Sequence, residues 1–259
     1  MEFLKSSKRR SFLSELIYIL LNVGLAVAIL ILVWAIASPF AAFALVLLSK
    51  WRVLAVRPRY WFANVQANLV DVIVSLSIVV LLYAASGALA AQIVLTLAYI
   101  CWLLYIKPKS SRNFIAIQAA AATFLGVTAL MSVSYDWYAS PVVLLMWVIG
   151  YSSARHVLGS YDEAHISFYS LVWGLVMAEI GWLAYHWTFA YDLPGVGDIK
   201  LSQIALIALA LSFIAERVYG SYTKHGVVRS GDVILPVLMS ISIILLLLAF
   251  FNKIGIGTI

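Results

Sequence analysis

Four polar residues share one face of a predicted helix near position 70: Asn64, Asn68, Asp71 and Ser75. Their spacing of i, i+4, i+7 and i+11 places the four side chains in one row on an α-helix. Such a row is costly against hydrocarbon, so we expect it to face protein or a watery cavity open to the cytoplasm. Two interpretations remain open. The row lines a cavity for a solute, or Asp71 pairs with Arg57 or Arg59 while the asparagines hydrogen-bond neighbouring helices.

A second chemical feature is Glu179, which lies inside a long apolar stretch. A charged carboxyl in hydrocarbon costs on the order of 2.5–3.5 kcal/mol, so we expect Glu179 to be protonated or paired. On a helix, His165, Glu179 and His186 fall within a strip about 60° wide, with axial gaps of roughly 21 Å and 10 Å. They can be stations of a water-linked proton path. Alternatively, the histidines mark the two membrane interfaces and Glu179 bonds to Gln92, Gln118 or a hydroxyl on another helix.

Histidines, carboxylates and serines also cluster within residues 151–165, YSSARHVLGSYDEAH. In one interpretation His156, Asp162 and His165 ligate a metal, or Ser153 and His156 act as nucleophile and base. We favour a structural interpretation, because the sequence pattern is that of a helix boundary. We therefore predict no catalytic residue, no metal and no cofactor here.

The helix boundary is indicated by four residues. Gly159 suits the end of one helix, and Ser160 and Glu163 have capping-box spacing ahead of the next apolar run. Asp162 and Glu163 would complement the positive end of the following helix.

The composition explains why these polar groups stand out. The 259 residues are 64% hydrophobic and 11% charged, with a mean hydropathy of +1.03. Soluble domains carry about 25% charged residues, so a soluble globular or disordered chain is excluded. The single cysteine, Cys101, allows neither an intrachain disulfide nor a thiolate metal cluster. We predict one integral membrane domain over 1–259, all α-helical.

Nine apolar stretches have the length that a helix needs to cross hydrocarbon, about 20 residues. They are 16–37, 39–57, 69–87, 88–106, 113–135, 140–158, 166–190, 200–219 and 233–251. The first two form one continuous run, which we divide at Ser38-Pro39, a serine N-cap followed by proline at the first helical position. Ser140-Pro141 marks the start of the sixth stretch in the same way.

The lysines and arginines predict the orientation. All except Lys200 and Lys253 fall at the N-terminus or in alternate loops between these stretches. Because cationic loops stay in the cytoplasm, the N-terminus, with its basic segment 1–15, is expected inside and the C-terminus outside. A bacterial-type cytoplasmic membrane is the expected location.

A basic and aromatic segment follows the second stretch. Its cations are Lys50, Arg52, Arg57 and Arg59, and aromatic rings lie between and beside them. Snorkelling cations and amphipathic rings belong at a membrane interface, so we expect these four residues to bind anionic lipid head groups rather than nucleic acid. Residues 58–68 are predicted to form an interfacial amphipathic helix.

Intramembrane ionisable groups suggest function, so we predict a small transporter or permease of unknown substrate, proton-coupled through Glu179. Against this, no helix is visibly broken mid-span by glycine or proline. Two alternatives remain. One is a non-catalytic structural or scaffold subunit of a membrane assembly, and the possible protein partners are another membrane protein or a second copy of the chain. The other is a membrane-embedded enzyme that acts on lipid head groups through His156, Asp162, His165 and Glu216.

Overall fold

The computed structural model describes residues 12–186, 190–192 and 195–250. Nine α-helices occupy this part of the chain: α1 Phe12–Ala35, α2 Phe40–Ser49, α3 Trp61–Ala84, α4 Leu89–Cys101, α5 Arg112–Val133, α6 Ala139–Gly159, α7 Ile166–His186, α8 Gln203–His225 and α9 Ser230–Phe250. Eight of the segments are long and apolar enough to cross a membrane. The predicted all-α helical bundle is thereby confirmed. Most of the basic N-terminal segment, residues 1–11, and the C-terminal residues 251–259 lie outside the described residues.

The second predicted stretch is not one long helix. Only Phe40–Ser49 is α-helical, and at 10 residues it spans about 15 Å, half of a bilayer core. A 3₁₀ turn, Trp51–Val53, continues it. Helix α2 begins directly after Pro39, which occupies the N-cap position predicted for Ser38, and no side chain caps the helix. Helix α6 begins at Ala139, so the predicted N-cap Ser140 lies inside the helix, which no side chain caps.

The whole segment 39–57 nevertheless runs antiparallel beside α3. Near the end of α3, the Tyr83 hydroxyl donates to Ser38 O at 2.7 Å. Near its start, Asn64 Nδ2 donates to Val53 O at 2.6 Å. Helix α3 supplies hydrogen bonds where the second segment is irregular, which is the condition for non-helical backbone at membrane depth.

The interfacial helix predicted over 58–68 is not a separate element. Residues Pro58–Tyr60 form a 3₁₀ turn, and α3 then continues from Trp61 to Ala84 without a break. No glycine or proline interrupts that stretch, so nothing in the sequence stops the helix from starting early. The polar row of residues 64–75 therefore lies on a single long helix.

Two apolar cores hold the bundle together. One joins α1, α2, α3 and α4 and includes Ala122 of α5, and the other joins α5, α6, α7 and α8. Within the second, glycines let α6 and α7 approach closely. A Cβ placed on Gly150 would lie 2.5 Å from Met177 Cγ, and one on Gly181 would lie 2.6 Å from Met146 Cγ. The small-residue pattern of α7 thus serves helix packing.

A short antiparallel ribbon, which the sequence analysis did not predict, precedes α8. Strand β1, Ala190–Asp192, pairs with β2, Lys200–Ser202. The ribbon is anchored to the end of α3, where Asp198 N donates to Ala84 O at 2.7 Å. Gly197 has φ +69°, and a Cβ there would lie 2.9 Å from Ala84 O, so the contact requires glycine.

Candidate functional site: a buried ion cluster and a cavity

Asp71 is the centre of a buried ion cluster. It is 8% exposed, and its carboxylate accepts hydrogen bonds from Lys50 Nζ, from Lys107 Nζ at 2.8 Å and from Trp102 Nε1 at 3.2 Å. The predicted partners Arg57 and Arg59 are therefore wrong, but Asp71 does form ion pairs, as that alternative expected. A buried carboxylate is held by cations.

The two lysines reach Asp71 from irregular points in the helices. Lys50 follows the last residue of α2. Lys107 follows a π-helical turn, Trp102–Ile106, that ends α4 and also supplies the indole. Lys50 was expected at lipid head groups, but its side chain is 9% exposed and is bound to Asp71. Arg52, Arg57 and Arg59 are exposed, and their binding to lipid head groups remains a prediction.

The rest of the polar row makes local hydrogen bonds. Asn68 Nδ2 donates to Asn64 O at 2.8 Å, and Ser75 Oγ donates to Asp71 O at 2.6 Å while accepting from the Tyr99 hydroxyl at 3.0 Å. The row faces segment 50–57 and α4. Whether it also admits a solute remains a prediction.

Gln118 of α5 links the π-helical turn to α6 through hydrogen bonds. Its amide nitrogen donates to Ile106 O at 2.8 Å and to Lys109 O at 2.9 Å, and its oxygen contacts His156 Nε2 at 2.6 Å. Gln92 instead bonds Leu82 O and the Trp34 indole. Neither glutamine contacts Glu179, so that structural explanation of the glutamate is wrong.

A cavity of about 760 Å³ lies among α5, α6, α7, α8 and α9. Its wall is mainly apolar, with Leu206, Leu209 and Phe213 on α8. Thr123 and Ser153 form a buried hydroxyl pair, 3.0 Å apart, in the wall. The Ser212 hydroxyl also belongs to the wall and has no hydrogen-bond partner among the described residues. No local sequence signal marks this cavity, because its residues lie on five separate helices.

Charged and phenolic side chains surround one end of the cavity, where α5 and α7 begin and α6 and α8 end. Glu216 Oε1 accepts from the Tyr161 hydroxyl at 3.0 Å, and Arg217 Nε lies 3.4 Å from Glu216 Oε2. Arg112 lies over the Tyr161 ring, 4.4 Å from its centre. Burial, with the charge of Glu216, raises the pKa of Tyr161 to about 12. We call these four residues the mouth of the cavity, and two of them, Glu216 and Arg217, belong to its wall.

The candidate ligands within residues 151–165 have separate surroundings in the structure. His156 binds Gln118, whereas Asp162 and His165 are exposed on the loop. Among the described residues, no group of three His, Cys, Asp or Glu could hold a metal ion. The predicted capping box is also wrong.

The serine and the glutamate act at different helix ends. Ser160 Oγ donates to Val157 O of α6, and Glu163 Oε1 accepts from His165 N ahead of α7. Glu163 therefore serves as the acceptor at the start of α7 by itself.

The stability of the protein at acid pH tests the hydrogen bond between Tyr219 and Glu163. The Tyr219 hydroxyl donates to Glu163 Oε2, and this bond, with the His165 N–H, holds the pKa of Glu163 below its usual value. A depressed carboxyl pKa contributes stability that is present above pH 4.5 and is lost as the pH falls further. We expect Tyr219→Phe to lower the unfolding temperature at pH 7 and to have a smaller effect below pH 4. Thermal scans of both proteins from pH 7 to pH 3 measure this, and a constant difference would contradict it.

Helix α7 carries the predicted proton-path residues on one surface. Glu179 and His186 are both exposed there, and His165 is exposed just ahead of the helix. The His186 ring contacts the rings of Trp182 and Tyr185. Among the described residues, Glu179 makes no hydrogen bond or ion pair, and it does not line the 760 Å³ cavity. Proton transfer along this surface remains a prediction.

Comparison with known proteins adds no assignment. No family model, curated protein or solved structure matches the chain.

Proposed function

We propose that the protein is a small integral membrane transporter or permease, and that the cavity among α5 to α9 is its solute site. The observation that carries the proposal is the cavity itself, about 760 Å³ inside a bundle of membrane-length helices, with a charged mouth at one end. Pockets of roughly 300–1,000 Å³ suit small molecules.

The cavity walls favour an amphipathic solute. Its apolar part fits the leucine and phenylalanine wall of α8, and its polar group would meet the buried hydroxyls of Thr123, Ser153 and Ser212. Glu216 and Arg217 at the mouth would select for charge as the solute enters. A few placed polar groups in an apolar pocket are typical of orientation-specific binding.

The proposed topology places the mouth in the cytoplasm of a bacterial-type cell. Most lysines and arginines lie at the end of the bundle that carries the mouth, including Arg112, Arg155, Arg217 and Lys224. Under the positive-inside rule this end faces the cytoplasm, and the C-terminus lies outside. Arg52, Arg57 and Arg59 would then contact anionic lipid from the inner leaflet.

Thiol labelling of the cavity tests the transport proposal. In a Cys101→Ser background, Ser212→Cys places a near-isosteric thiol in the cavity wall. In vesicles, we expect the charged, membrane-impermeant reagent MTSET to modify residue 212 from the mouth side. The rate should change by about threefold or more when a pH gradient is imposed, because a transporter exchanges two accessible states.

The matched control is Leu245→Cys in the same background, since Leu245 lies on the surface of α9 and is 59% exposed. MTSET should fail to modify a thiol that contacts lipid. Modification of residue 212 by permeant maleimide alone, or at one rate with and without the gradient, would argue for a static, lipid-filled pocket and against transport.

Proton coupling through Glu179 is a separate part of the proposal. Purified protein in vesicles loaded with the pH dye pyranine should admit protons under an imposed potential, and Glu179→Gln should slow that flux by about tenfold or more, since the amide cannot release a proton. His165→Gln, on the exposed loop ahead of α7, should reduce it less. Equal fluxes in wild type and Glu179→Gln would remove the coupling role and leave the solute cavity in place.

A scaffold subunit is the second candidate function. It is favoured by the position of Glu179, which is exposed on α7 without a partner among the described residues. A carboxyl inside the hydrocarbon layer requires a hydrogen-bond donor, which a second protein would supply. Copurification from native membranes with a second protein in fixed ratio would support this function.

A further inference from the structure

Six residues of α7 form a seam with heptad spacing, and one of them, Val172, also lines the cavity. They recur at intervals of four, three, four, three and four residues and are all exposed: Phe168, Val172, Leu175, Glu179, Trp182 and His186. This spacing is the a/d pattern that brings two helices together in a left-handed coiled coil. The opposite face of α7, with Gly174, Met177 and Gly181, is already buried against α6. The seam lies on the exposed side of α7, away from α6.

Lipid explains the apolar members of the seam but not Glu179. At 1.5 Å per residue, Glu179 lies roughly 20 Å from the first residue of α7 and roughly 10 Å from the last, within the hydrocarbon layer. Lipid tails offer neither a donor nor an acceptor, so a lipid-facing carboxyl would keep its full desolvation cost. A protein surface with a complementary group at the same depth removes that cost.

We propose that α7 packs along its seam against α7 of a second copy of this chain. A twofold axis along the membrane normal places the same residue opposite itself at the same depth. Glu179 then meets its counterpart in the second copy, and a hydrogen bond between the two carboxyl groups gives each a polar partner in place of lipid. No other partner chemistry is needed, and the one polar pair in an apolar seam fixes the register. This inference does not depend on what the cavity carries.

Disulfide crosslinking tests the seam directly. In the Cys101→Ser background, Leu175→Cys or Trp182→Cys in purified, vesicle-reconstituted protein should form a covalent dimer with copper phenanthroline. The matched control is Leu97→Cys on α4, because Leu97 and Leu175 are both mid-helix leucines that are 59% and 58% exposed. We expect the seam cysteines to crosslink about tenfold faster than residue 97 or more, since paired helices hold two thiols at high effective concentration.

Substitution of Glu179 tests the carboxyl pair. Glu179→Gln keeps a hydrogen-bonding pair and should leave the Leu175→Cys crosslinking rate unchanged, whereas Glu179→Leu should lower the dimer association constant about tenfold in a dilution series in vesicles. Equal crosslinking at residues 97 and 175 would overturn the proposal. Crosslinks that form only in native membranes, to a partner of different mass, would overturn it in favour of a foreign subunit. Proton and solute flux are measured separately, so loss of the dimer and loss of transport are distinguishable.

Discussion

Asp71→Leu is expected to lower the free energy of unfolding by about 3–5 kcal/mol, because it leaves an ammonium group buried without its counter-charge. Lys50 is the group most affected, since its side chain is 9% exposed and has Asp71 as its ion-pair partner. Lys107 is less affected, because its side chain is 36% exposed and can extend to water. Unfolding of the detergent-solubilised protein in sodium dodecyl sulfate, followed by tryptophan fluorescence, measures the change.

The double variant Lys50→Leu with Asp71→Leu distinguishes the net contribution of the ion pair from the cost of leaving one charge unpaired. Replacing a buried ion pair with apolar residues of similar volume is often neutral, so the double variant should recover most of the lost stability. Asp162→Asn is the control. Asp162 is an exposed aspartate at φ +53°, a conformation that asparagine tolerates, and its replacement should cost less than about 0.5 kcal/mol. A double variant as unstable as Asp71→Leu would show that the cluster does not act as a charge pair.

Gly150→Ala should destabilise the α6–α7 pair by about 1–3 kcal/mol through overpacking. The added Cβ would lie 2.5 Å from Met177 Cγ and 2.6 Å from Met177 Cβ. These atoms are next to the backbone of α7, so the strain cannot be relieved by turning the end of a flexible side chain. The helices must move apart, and the same unfolding assay reports the loss.

The control is Gly24→Ala on α1, where an added Cβ has nothing within 4 Å. Alanine favours helix over glycine by about 1 kcal/mol, so this variant should be neutral or more stable. Adding Met177→Gly to Gly150→Ala removes the clashing side chain, and the pair should cost at least about 1 kcal/mol less than the sum of the single changes. Additive costs would mean that the two residues do not clash.

Eight of the nine predicted membrane-length helices are present among the described residues, because apolar length and flanking charge are local properties of the sequence. Where the prediction of a full-length helix failed, contacts with a distant helix determined the local structure. Segment 39–57 is apolar enough for a full helix, yet its helix ends at Ser49, and the hydrogen bonds that α3 offers to Val53 and Ser38 hold the irregular remainder. Helix α3 starts at Trp61, eight residues before its predicted position, because no glycine or proline interrupts the helix there.

The candidate site was predictable only in part. The spacing of residues 64–75 placed a carboxylate on a polar face, and hydrocarbon required a cation for it. The spacing could not say which cation, because Lys50 and Lys107 lie 21 and 36 positions from Asp71 and reach it through a 3₁₀ and a π-helical turn. The sequence placed Glu179 at depth. It did not show that the neighbouring helices leave its side chain exposed.

By itself, the sequence determined that this chain is a membrane helical bundle and that its charged interior groups must find partners, because transfer free energies depend on residue type and stretch length. Only the tertiary structure decided which partners those are. It joined Asp71 to two lysines, closed five helices around a cavity and left the α7 seam uncovered, because such contacts depend on how distant helices pack rather than on their neighbours in the chain.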